Sequence, residues 1–319
     1  MKKLYFIYNP YSGRSANTKN TVSSKLHNIV DIWTKCDYEV TVKPIQRPND
    51  AYETALRVCN SNEYDLIVCS GGDGTLNETV HGVMSSNNVL PIGYIPSGST
   101  NDFAKSIGIP KGIENCARNI TYENRFITDY GVFNDNQIFT YVCAFGMFTE
   151  VTYETPQQRK NYIGHSAYIM EAIKHLGKIK SYSMEFQYDG GTLSGEYILG
   201  MIANSKSVGG MFTLKNVSFD DGLFEVILVK KPQSLLHLQN GLIELINFNS
   251  NSEHSEIIQS FKTSHLLVKS TEPIKWNLDG EFGGMLTDVN IQNKNKALTI
   301  LTKKSNTIER KNRSKKSLT

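Results

Sequence analysis

This 319-residue sequence lacks several features that define other protein classes. No apolar run approaches the roughly 18 residues of a membrane-spanning helix, so we expect any membrane contact to be peripheral. The apolar stretch near the start breaks at Asn9-Pro10 after about five residues, which is too short for the core of a signal peptide. The five cysteines show no CxxC spacing and the seven histidines show no metal-ligand spacing. This pattern predicts reduced thiols in a cytoplasmic protein, with neither a disulfide framework nor a zinc site.

The chain also has little excess of positive over negative charge, since its formal net charge is only +3. The excess is concentrated in the tail from Lys303 to Thr319, where seven Lys or Arg residues accompany one Glu. Such a tail is either a solvated terminus or a contact for an anionic membrane surface. No basic patch interleaved with aromatic residues appears elsewhere, which argues against a nucleic-acid partner.

The length of the chain predicts two domains, because single cores usually divide above ~250 to 300 residues. Up to residue 127, apolar strand-like runs alternate with helical patterns, which predicts a doubly wound, three-layer α/β domain. From 128 to 296, many short strands bounded by turn residues predict a β-sandwich, and 297–319 is expected to return to the first domain. One helical segment at 164–178 interrupts these strands, and its apolar residues serve either core packing or the wall of a lipid site.

Three polar loops directly follow predicted strands: NPYSG at 9–13, SGGDGT at 70–75 and PSGSTND at 96–102. Because ligands gather at the carboxyl ends of parallel strands, we expect these loops to meet in one cleft. Glycines let backbone N–H groups approach an anion, and a helix N-terminus adds a partial positive charge, so the cleft suits phosphate. No Walker A lysine follows the glycines, and we therefore expect Asp73 to act through a bridging Mg²⁺. The alternative is that Asp73 only caps a helix.

Other acids also allow two interpretations. Asn101-Asp102 precedes a helical pattern, where it caps the helix, takes part in catalysis, or does both. Asp279 and Glu281 follow a strand-like run and either form a hairpin turn or supply the carboxylate that accepts a proton from an alcohol. Successive side chains of a strand point to opposite faces, but this rule fails at a turn. The pattern therefore does not show which of these two residues accepts the proton.

Six motifs in order resemble the bacterial diacylglycerol kinase family of soluble lipid kinases, which is related to sphingosine kinases and more distantly to NAD kinases. The motifs are YNPYSG, GGDGTLNE, PSGSTNDFA, IANSKSVGGM, DDGLFEV and NLDGE, and together they span nearly the whole chain. One departure is Gly98-Ser99, where the family usually has Gly-Thr, but serine keeps the hydroxyl. The resemblance implies an ATP-binding first domain and a lipid-binding second domain.

The resemblance also implies site residues. Those assigned to the nucleotide are Asn9, Pro10, Ser12, Gly13, Gly71, Gly72, Asp73, Gly74, Thr75, Leu76, Asn77, Glu78, Ser99, Asn101 and Asp102. The implied catalytic residues are Asp73, Asp279 and Glu281, with a lean towards Glu281 as the proton acceptor. A structural Mg²⁺ is implied at Ser218, Asp221 and Leu223, in a segment that pattern alone describes as a turn. Asp129 is either part of the same acidic network or a structural residue at the domain junction.

The implied function is an ATP-dependent kinase that phosphorylates the free hydroxyl of diacylglycerol to phosphatidic acid, at the membrane surface and with Mg²⁺. A kinase of another lipid alcohol, such as a sphingoid base, is the alternative. An NAD kinase is disfavoured by the basic tail and by the NLDGE and IANSKSVGG segments. A nucleotide-binding regulator without catalysis would not need Asp73, Asp279 and Glu281 together. A homodimer is one assembly we consider, and the sequence does not define the preferred acyl chains.

Overall fold

The computed structural model describes residues 1–12, 21–99, 101–147, 180–208, 212–214, 217–246 and 255–302. Gly13, the helical segment predicted at 164–178 and the basic tail lie outside these described residues. The chain divides into two compact units, one formed by Met1–Asp129 with Lys296–Thr319 and the other by Tyr130–Asn295.

The first unit contains a parallel sheet. Its strands are β1 (Lys2–Tyr8), β2 (Tyr38–Pro44), β3 (Leu66–Gly71) and β4 (Ile92–Pro96). They pair in the order β2-β1-β3-β4, and Ile300 and Leu301 near the end of the described chain run parallel to β4. All six residues of β3 are buried, as expected for a continuous apolar run inside a parallel sheet.

Helices follow these strands and pack in pairs. The described helices of this unit are α1 (Leu26–Thr34), preceded by a 3-10 turn at Ser23–Lys25, α2 (Asp50–Ser61), α3 (Asp73–Met84), α4 (Asp102–Ile107) and α5 (Ile113–Thr121). The indole N–H of Trp33 in α1 donates to the carbonyl oxygen of Ala117 in α5, 3.1 Å away. A Cβ atom on Gly82 of α3 would lie 2.4 Å from the carbonyl oxygen of Tyr52, so glycine is needed where α3 meets α2.

The second unit is built from antiparallel strands. Its elements are β5 (Arg125–Phe133), which begins in the first unit, β6 (Gln137–Phe139), β7 (Val142–Gly146), β8 (Tyr182–Tyr188), β9 (Gly191–Ala203), β10 (Ser207–Val208), β11 (Phe212–Thr213), β12 (Phe224–Lys230), α6 (Leu235–Ile246), β13 (Ile258–Thr263), β14 (His265–Leu278) and β15 (Glu281–Leu301), which ends in the first unit. The strands pair in the order β13-β12-β9-β7-β14-β15, and β8 pairs with both β9 and β14. An α/β unit combined with a β unit is therefore confirmed.

Aromatic side chains fill the core of the second unit. The ring of Trp276 lies 5.1 Å from that of Phe145 and 5.4 Å from that of Phe133, between centroids. These rings are almost completely shielded from solvent and belong to one continuous cluster of apolar residues. Large rings in tilted contact bury much apolar area per residue, so this cluster fixes β14, which ends just before Asp279, and β15, which begins at Glu281. Within the described ranges, no helix has the length and apolar composition to cross a membrane.

Candidate active site

Three loops of the first unit meet at the carboxyl ends of β1, β3 and β4. The N–H of Asn9, after β1, donates to the carbonyl of Ser70 at 2.8 Å. The N–H of Ser97, after β4, donates to the carbonyl of Gly71 at 2.8 Å, and the hydroxyl of Ser12 donates to the carbonyl of Ser97 at 2.9 Å. The structure thus joins the three loops by hydrogen bonds, as the order of the motifs along a parallel sheet predicts.

Glycines allow two of these loops to touch through their backbones. A Cβ atom on Gly98 would lie only 2.5 Å from the Cα of Gly72, which is far inside van der Waals contact. A Cβ atom on Gly71 would lie 2.3 Å from the Cβ of Thr75. The loops therefore leave a surface of backbone groups with few side chains, which suits a bulky anion such as a chain of phosphates.

Asn101 shapes the loop after β4. Its φ of +52° is in the left-handed region, which asparagine tolerates better than most residues. The side-chain oxygen accepts the N–H of Gly98 at 3.0 Å, and the side-chain nitrogen donates to the carbonyl of Gly98 at 2.7 Å. Asn101 occupies the N-cap position of α4, but its side chain makes no capping bond to the helix. The side chain of Asn101 therefore does not cap α4, and it bonds to Gly98 instead.

Asp73 and Asp102 begin two neighbouring helices. The N–H of Asp102 donates to Oδ2 of Asp73 at 3.4 Å, which brings together the loops after β3 and β4. Asp102 is fully buried, and the ammonium group of Lys105 lies 3.7 Å from its Oδ1. A carboxylate in the first turn of a helix is favoured by the positive end of the helix dipole, and both acids lie in the first turn of a helix where the loops after β3 and β4 meet.

Tyr94 adds a neutral donor to this junction. Its hydroxyl donates to the carbonyl of Gly71 at 3.2 Å. Burial, with a smaller contribution from the nearby Asp73 charge, raises the pKa of Tyr94 well above its usual value. The phenol therefore stays protonated at all physiological pH values and fixes the turn that presents Gly71-Gly72.

The second unit presents its two carboxylates differently. Asp279 is 3% exposed, and both of its carboxylate oxygens accept hydrogen bonds from the segment 140–142. Oδ2 accepts the N–H of Thr140 at 2.5 Å and its hydroxyl at 2.8 Å, while Oδ1 accepts the N–H groups of Tyr141 at 3.0 Å and Val142 at 2.9 Å. Asp279 thus ties the β14–β15 turn to β7. Glu281, the first residue of β15, is exposed to solvent.

The segment assigned to a structural Mg²⁺ is rich in oxygen atoms. Oδ1 of Asp221 accepts the N–H of Leu223 at 3.2 Å, and Oδ2 lies 3.6 Å from the ammonium group of Lys262. The same ammonium group lies 2.6 Å from Oε1 of Glu225, whose pKa is raised mainly by burial. Among the described residues, no group of three or more His, Cys, Asp or Glu side chains could hold a metal. Asp221 therefore fits a hard cation only together with hydroxyl and backbone oxygens, which is the donor set that Ser218, Asp221 and Leu223 offer.

Comparison with known proteins decides the family. Residues 3–131 match the model of the diacylglycerol kinase catalytic domain. The diacylglycerol kinase of Bacillus subtilis (strain 168) is 33% identical over 288 residues, which cover 90% of this chain and 92% of the relative. The chain belongs to the diacylglycerol kinase family. The family predicted from the six motifs is therefore confirmed.

Other members of the diacylglycerol kinase family extend the similarity. The diacylglycerol kinase of Staphylococcus aureus (strain Newman) is 32% identical over 286 residues, covering 89% of this chain and 88% of the relative. A crystal structure of a diacylglycerol kinase from Bacillus anthracis str. Sterne superimposes with a TM-score of 0.72 at 22% identity, covering 94% of this chain and 97% of the other. At that identity the superposition shows a shared fold, and it includes both units.

Several residues that the family resemblance assigns to the nucleotide also have structural contacts. The carboxylate of Glu78 accepts the N–H groups of Asn49 at 3.1 Å and Ala51 at 3.3 Å, so it stabilises the start of α2. Leu76 is fully buried and Thr75 is 8% exposed, so both side chains lie in the interior of the unit. Gly72, Asp73, Gly74 and Asn77 are partly exposed, as are Pro10 and Ser12, and Ser99 is exposed.

Sequence reasoning missed the hydroxyl groups that connect the loops. The buried hydroxyl of Ser70 donates to the carbonyl of Ile95 at 3.0 Å, and the hydroxyl of Ser97 donates to that of Ser12 at 3.0 Å. Both serines directly precede a glycine of the motifs. That position is the feature of the sequence from which their role in connecting the loops could have been predicted. Asp129, by contrast, accepts the N–H of Lys296 at 2.6 Å, which gives it a structural contact within the first unit.

We expect Asp279→Asn to lower the melting temperature by roughly 6–12 °C, because about 3 kcal/mol is lost when the amide replaces a carboxylate oxygen that accepts buried donors. Asparagine tolerates the left-handed φ of +52° at this position, so the change isolates the carboxylate. Differential scanning calorimetry measures the shift. Asp288→Asn, an exposed acid on β15, is the matched control and should change the melting temperature by less than about 1 °C. Equal melting of the two variants would contradict the structural role of Asp279.

Proposed function

We propose that this chain is an ATP-dependent diacylglycerol kinase that works in the cytoplasm at the membrane surface. It transfers the γ-phosphoryl group of ATP to the free hydroxyl of diacylglycerol and releases phosphatidic acid and ADP. The observation that carries the proposal is the hydrogen-bonded junction of three glycine- and serine-rich loops in a chain of this family. The doubly wound, three-layer form of the nucleotide-binding domain and the sandwich form of the lipid-binding domain are part of the same proposal.

The nucleotide phosphates are proposed to bind on the backbone surface around Gly72 and Gly98. Serine hydroxyls and the N-termini of α3 and α4 supply donors and partial positive charge there. Asp73 and Asp102 are the carboxylates that would hold Mg²⁺ here, and the ion would supply positive charge that offsets the charge of the phosphates. No lysine follows the glycines, so these two acids carry more of this role than they would beside a Walker A lysine.

The acceptor hydroxyl is proposed to lose its proton to Glu281. As the proton moves to the Glu281 carboxylate, the hydroxyl oxygen forms a bond to the γ-phosphorus and the bond to the bridging oxygen of ADP breaks. Exposure of Glu281 supports this assignment, because its oxygens are accessible to an incoming alcohol. Asp279 is a positioning residue, because its oxygens are occupied by four hydrogen bonds from Thr140, Tyr141 and Val142.

Reduced cysteines support the cytoplasmic location. All five are free, and burial raises the pKa of Cys69 and of Cys116 to about 12, which makes these thiols unreactive. Peripheral membrane contact follows from the lipid substrate. Association of two copies belongs to the same proposal and is tested by sedimentation velocity.

The experiment that tests the function compares acceptors. The purified chain is incubated with labelled ATP and Mg²⁺, in parallel with diacylglycerol micelles, sphingosine micelles and dissolved NAD. Label in phosphatidic acid is expected. Label in sphingosine phosphate instead would make the chain a kinase of another lipid alcohol, and label in NADP an NAD kinase. Binding of ATP without labelling of any acceptor would indicate a nucleotide-binding regulator.

A structural Mg²⁺ at Asp221 is tested by melting rather than by activity. The melting temperature of the parent chain is expected to rise with Mg²⁺, because a ligand of the folded state stabilises by about 2.7 kcal/mol at a hundredfold excess over Kd. Asp221→Asn should remove most of this rise. Asp288→Asn, which changes an exposed acid of β15, should retain it. The same Mg²⁺ dependence in all three proteins would show that no ion binds at Asp221.

A further inference from the structure

Two large apolar side chains are exposed beside Glu281. Phe282 is 56% exposed and Met285 is 55% exposed, and both lie on β15 within four residues of the proposed base. Most large apolar residues of the second unit are buried in its core. Leu236 and Ile243 of α6 are also exposed, but Phe282 and Met285 are the exposed pair that lies next to Glu281 in the chain. Together with Lys275 of β14 they form a group that we call the hairpin patch.

Lys275 belongs to this patch by geometry. It pairs directly with Met285 across the two strands, so the side chains of the two residues are neighbours. Its ammonium nitrogen lies 5.9 Å from the centre of the Phe282 ring. A long side chain that carries its charge along an apolar surface is typical of residues that place an ammonium group among lipid phosphates.

The hairpin that carries the patch is held firmly. The four hydrogen bonds to Asp279 fix the turn, and the N–H of Gly280 donates to the side-chain oxygen of Asn277 at 2.9 Å. A Cβ atom on Gly283 would lie 2.9 Å from Cγ of Leu278, so the two strands also pack tightly behind the patch. Phe282 and Met285 therefore lie on a rigid hairpin.

We propose that the hairpin patch is the surface through which this chain docks on the lipid bilayer that carries its acceptor, an inference that rests on the proposed function. Phe282 and Met285 enter the upper acyl region, and Lys275 lies among anionic headgroups. Glu281 directly precedes Phe282, and successive strand residues are only about 3.4 Å apart. Insertion of the Phe282 ring thus holds the Glu281 carboxylate at the depth of the lipid glycerol, where the hydroxyl of diacylglycerol is found.

The test is flotation with vesicles of phosphatidylglycerol and phosphatidylcholine that contain neither diacylglycerol nor ATP. Phe282→Ser/Met285→Ser is expected to reduce vesicle partitioning about tenfold or more, because two large apolar side chains no longer leave water. Val89→Ser/Tyr122→Ser replaces two exposed residues of the first unit, 51% and 60% exposed, and should bind as the parent chain does. Lys275→Gln should weaken binding to phosphatidylglycerol vesicles at low salt, with no effect on pure phosphatidylcholine vesicles.

Fluorescence provides a measurement that does not depend on removing the apolar residues. The two native tryptophans are at most 1% exposed. In a Phe282→Trp variant, a change in emission on adding vesicles therefore reports on the new residue. A shift to shorter wavelength is expected. No shift, or equal flotation of the hairpin and control variants, would overturn the proposal. A parent chain that dimerises through the patch, shown by a hairpin variant that elutes as a monomer, would also overturn it.

The two proposals can fail separately. If the parent chain floats through the hairpin patch but phosphorylates no diacylglycerol, the proposed function is wrong and the docking surface stands. If it phosphorylates diacylglycerol in micelles while the hairpin variant floats normally, the docking inference is wrong. In the vesicle assay with diacylglycerol present, the hairpin variant is expected to show a KM about tenfold higher than the parent chain.

Discussion

Asp73→Ala is expected to reduce phosphoryl transfer by about a thousandfold or more, chiefly through loss of Mg-ATP binding. The carboxylate lies at the start of α3, where the N–H of Asp102 contacts it and two other loops converge. With no lysine after the glycines, backbone donors alone do not balance the charge of a triphosphate. Isothermal titration with ATP and Mg²⁺ measures the affinity, and labelled ATP measures the rate.

Asp73→Asn separates charge from shape. The amide retains an oxygen that can accept the N–H of Asp102, so this variant should melt like the parent chain and still lose Mg-ATP affinity. Asp31→Ala removes an exposed acid of α1 whose partner is Lys35, and it is the matched control that should leave affinity and rate unchanged. If the Asp73→Asn variant binds Mg-ATP normally and keeps most of the parent rate, Asp73 has only a structural role in the turn.

Glu281→Gln is expected to lower kcat by about 10² to 10⁴-fold, the usual contribution of a general base. Glutamine keeps the size of the side chain but does not accept the proton of the acceptor hydroxyl. Because Glu281 is exposed, the melting temperature and the affinity for Mg-ATP should not change. This combination distinguishes Glu281 from Asp279, whose replacement should lower the melting temperature. A Glu281→Gln chain with more than about a tenth of the parent kcat would mean that another group takes the proton.

The sequence alone predicts the parallel strands and the loops after them well. Apolar runs such as 66–69 are followed at once by glycines and small polar residues, and both signals are local in the chain. The pairing of Asp102 with Asp73 is different, because it joins two loops whose register depends on the neighbouring strands β3 and β4. No local pattern shows that the side chain of Asn101 turns back to Gly98 instead of capping α4.

The second unit shows the same limit more strongly. Asp279 and Glu281 look equivalent in the sequence, as two acids around a glycine. What separates them is the segment 140–142, which supplies four hydrogen bonds to the Asp279 carboxylate from more than 130 residues away. Glu78 is a similar case, since its contact with the start of α2 depends on the close packing of α2 and α3 at Gly82. Such contacts follow from the tertiary fold and not from residue spacing.

The pairing of Ile300 and Leu301 with Ile92 and Gly93 has a consequence for biosynthesis. The ribosome makes β4 about 200 residues before the segment that covers its outer edge. At ~5 to 20 residues per second, that edge stays unpaired for roughly 10 to 40 s. An unpaired strand edge is a template for aggregation, so we expect the nascent chain to be prone to aggregation during this interval. Fragments that stop near residue 129 keep the edge open permanently and are expected to precipitate when they are expressed alone.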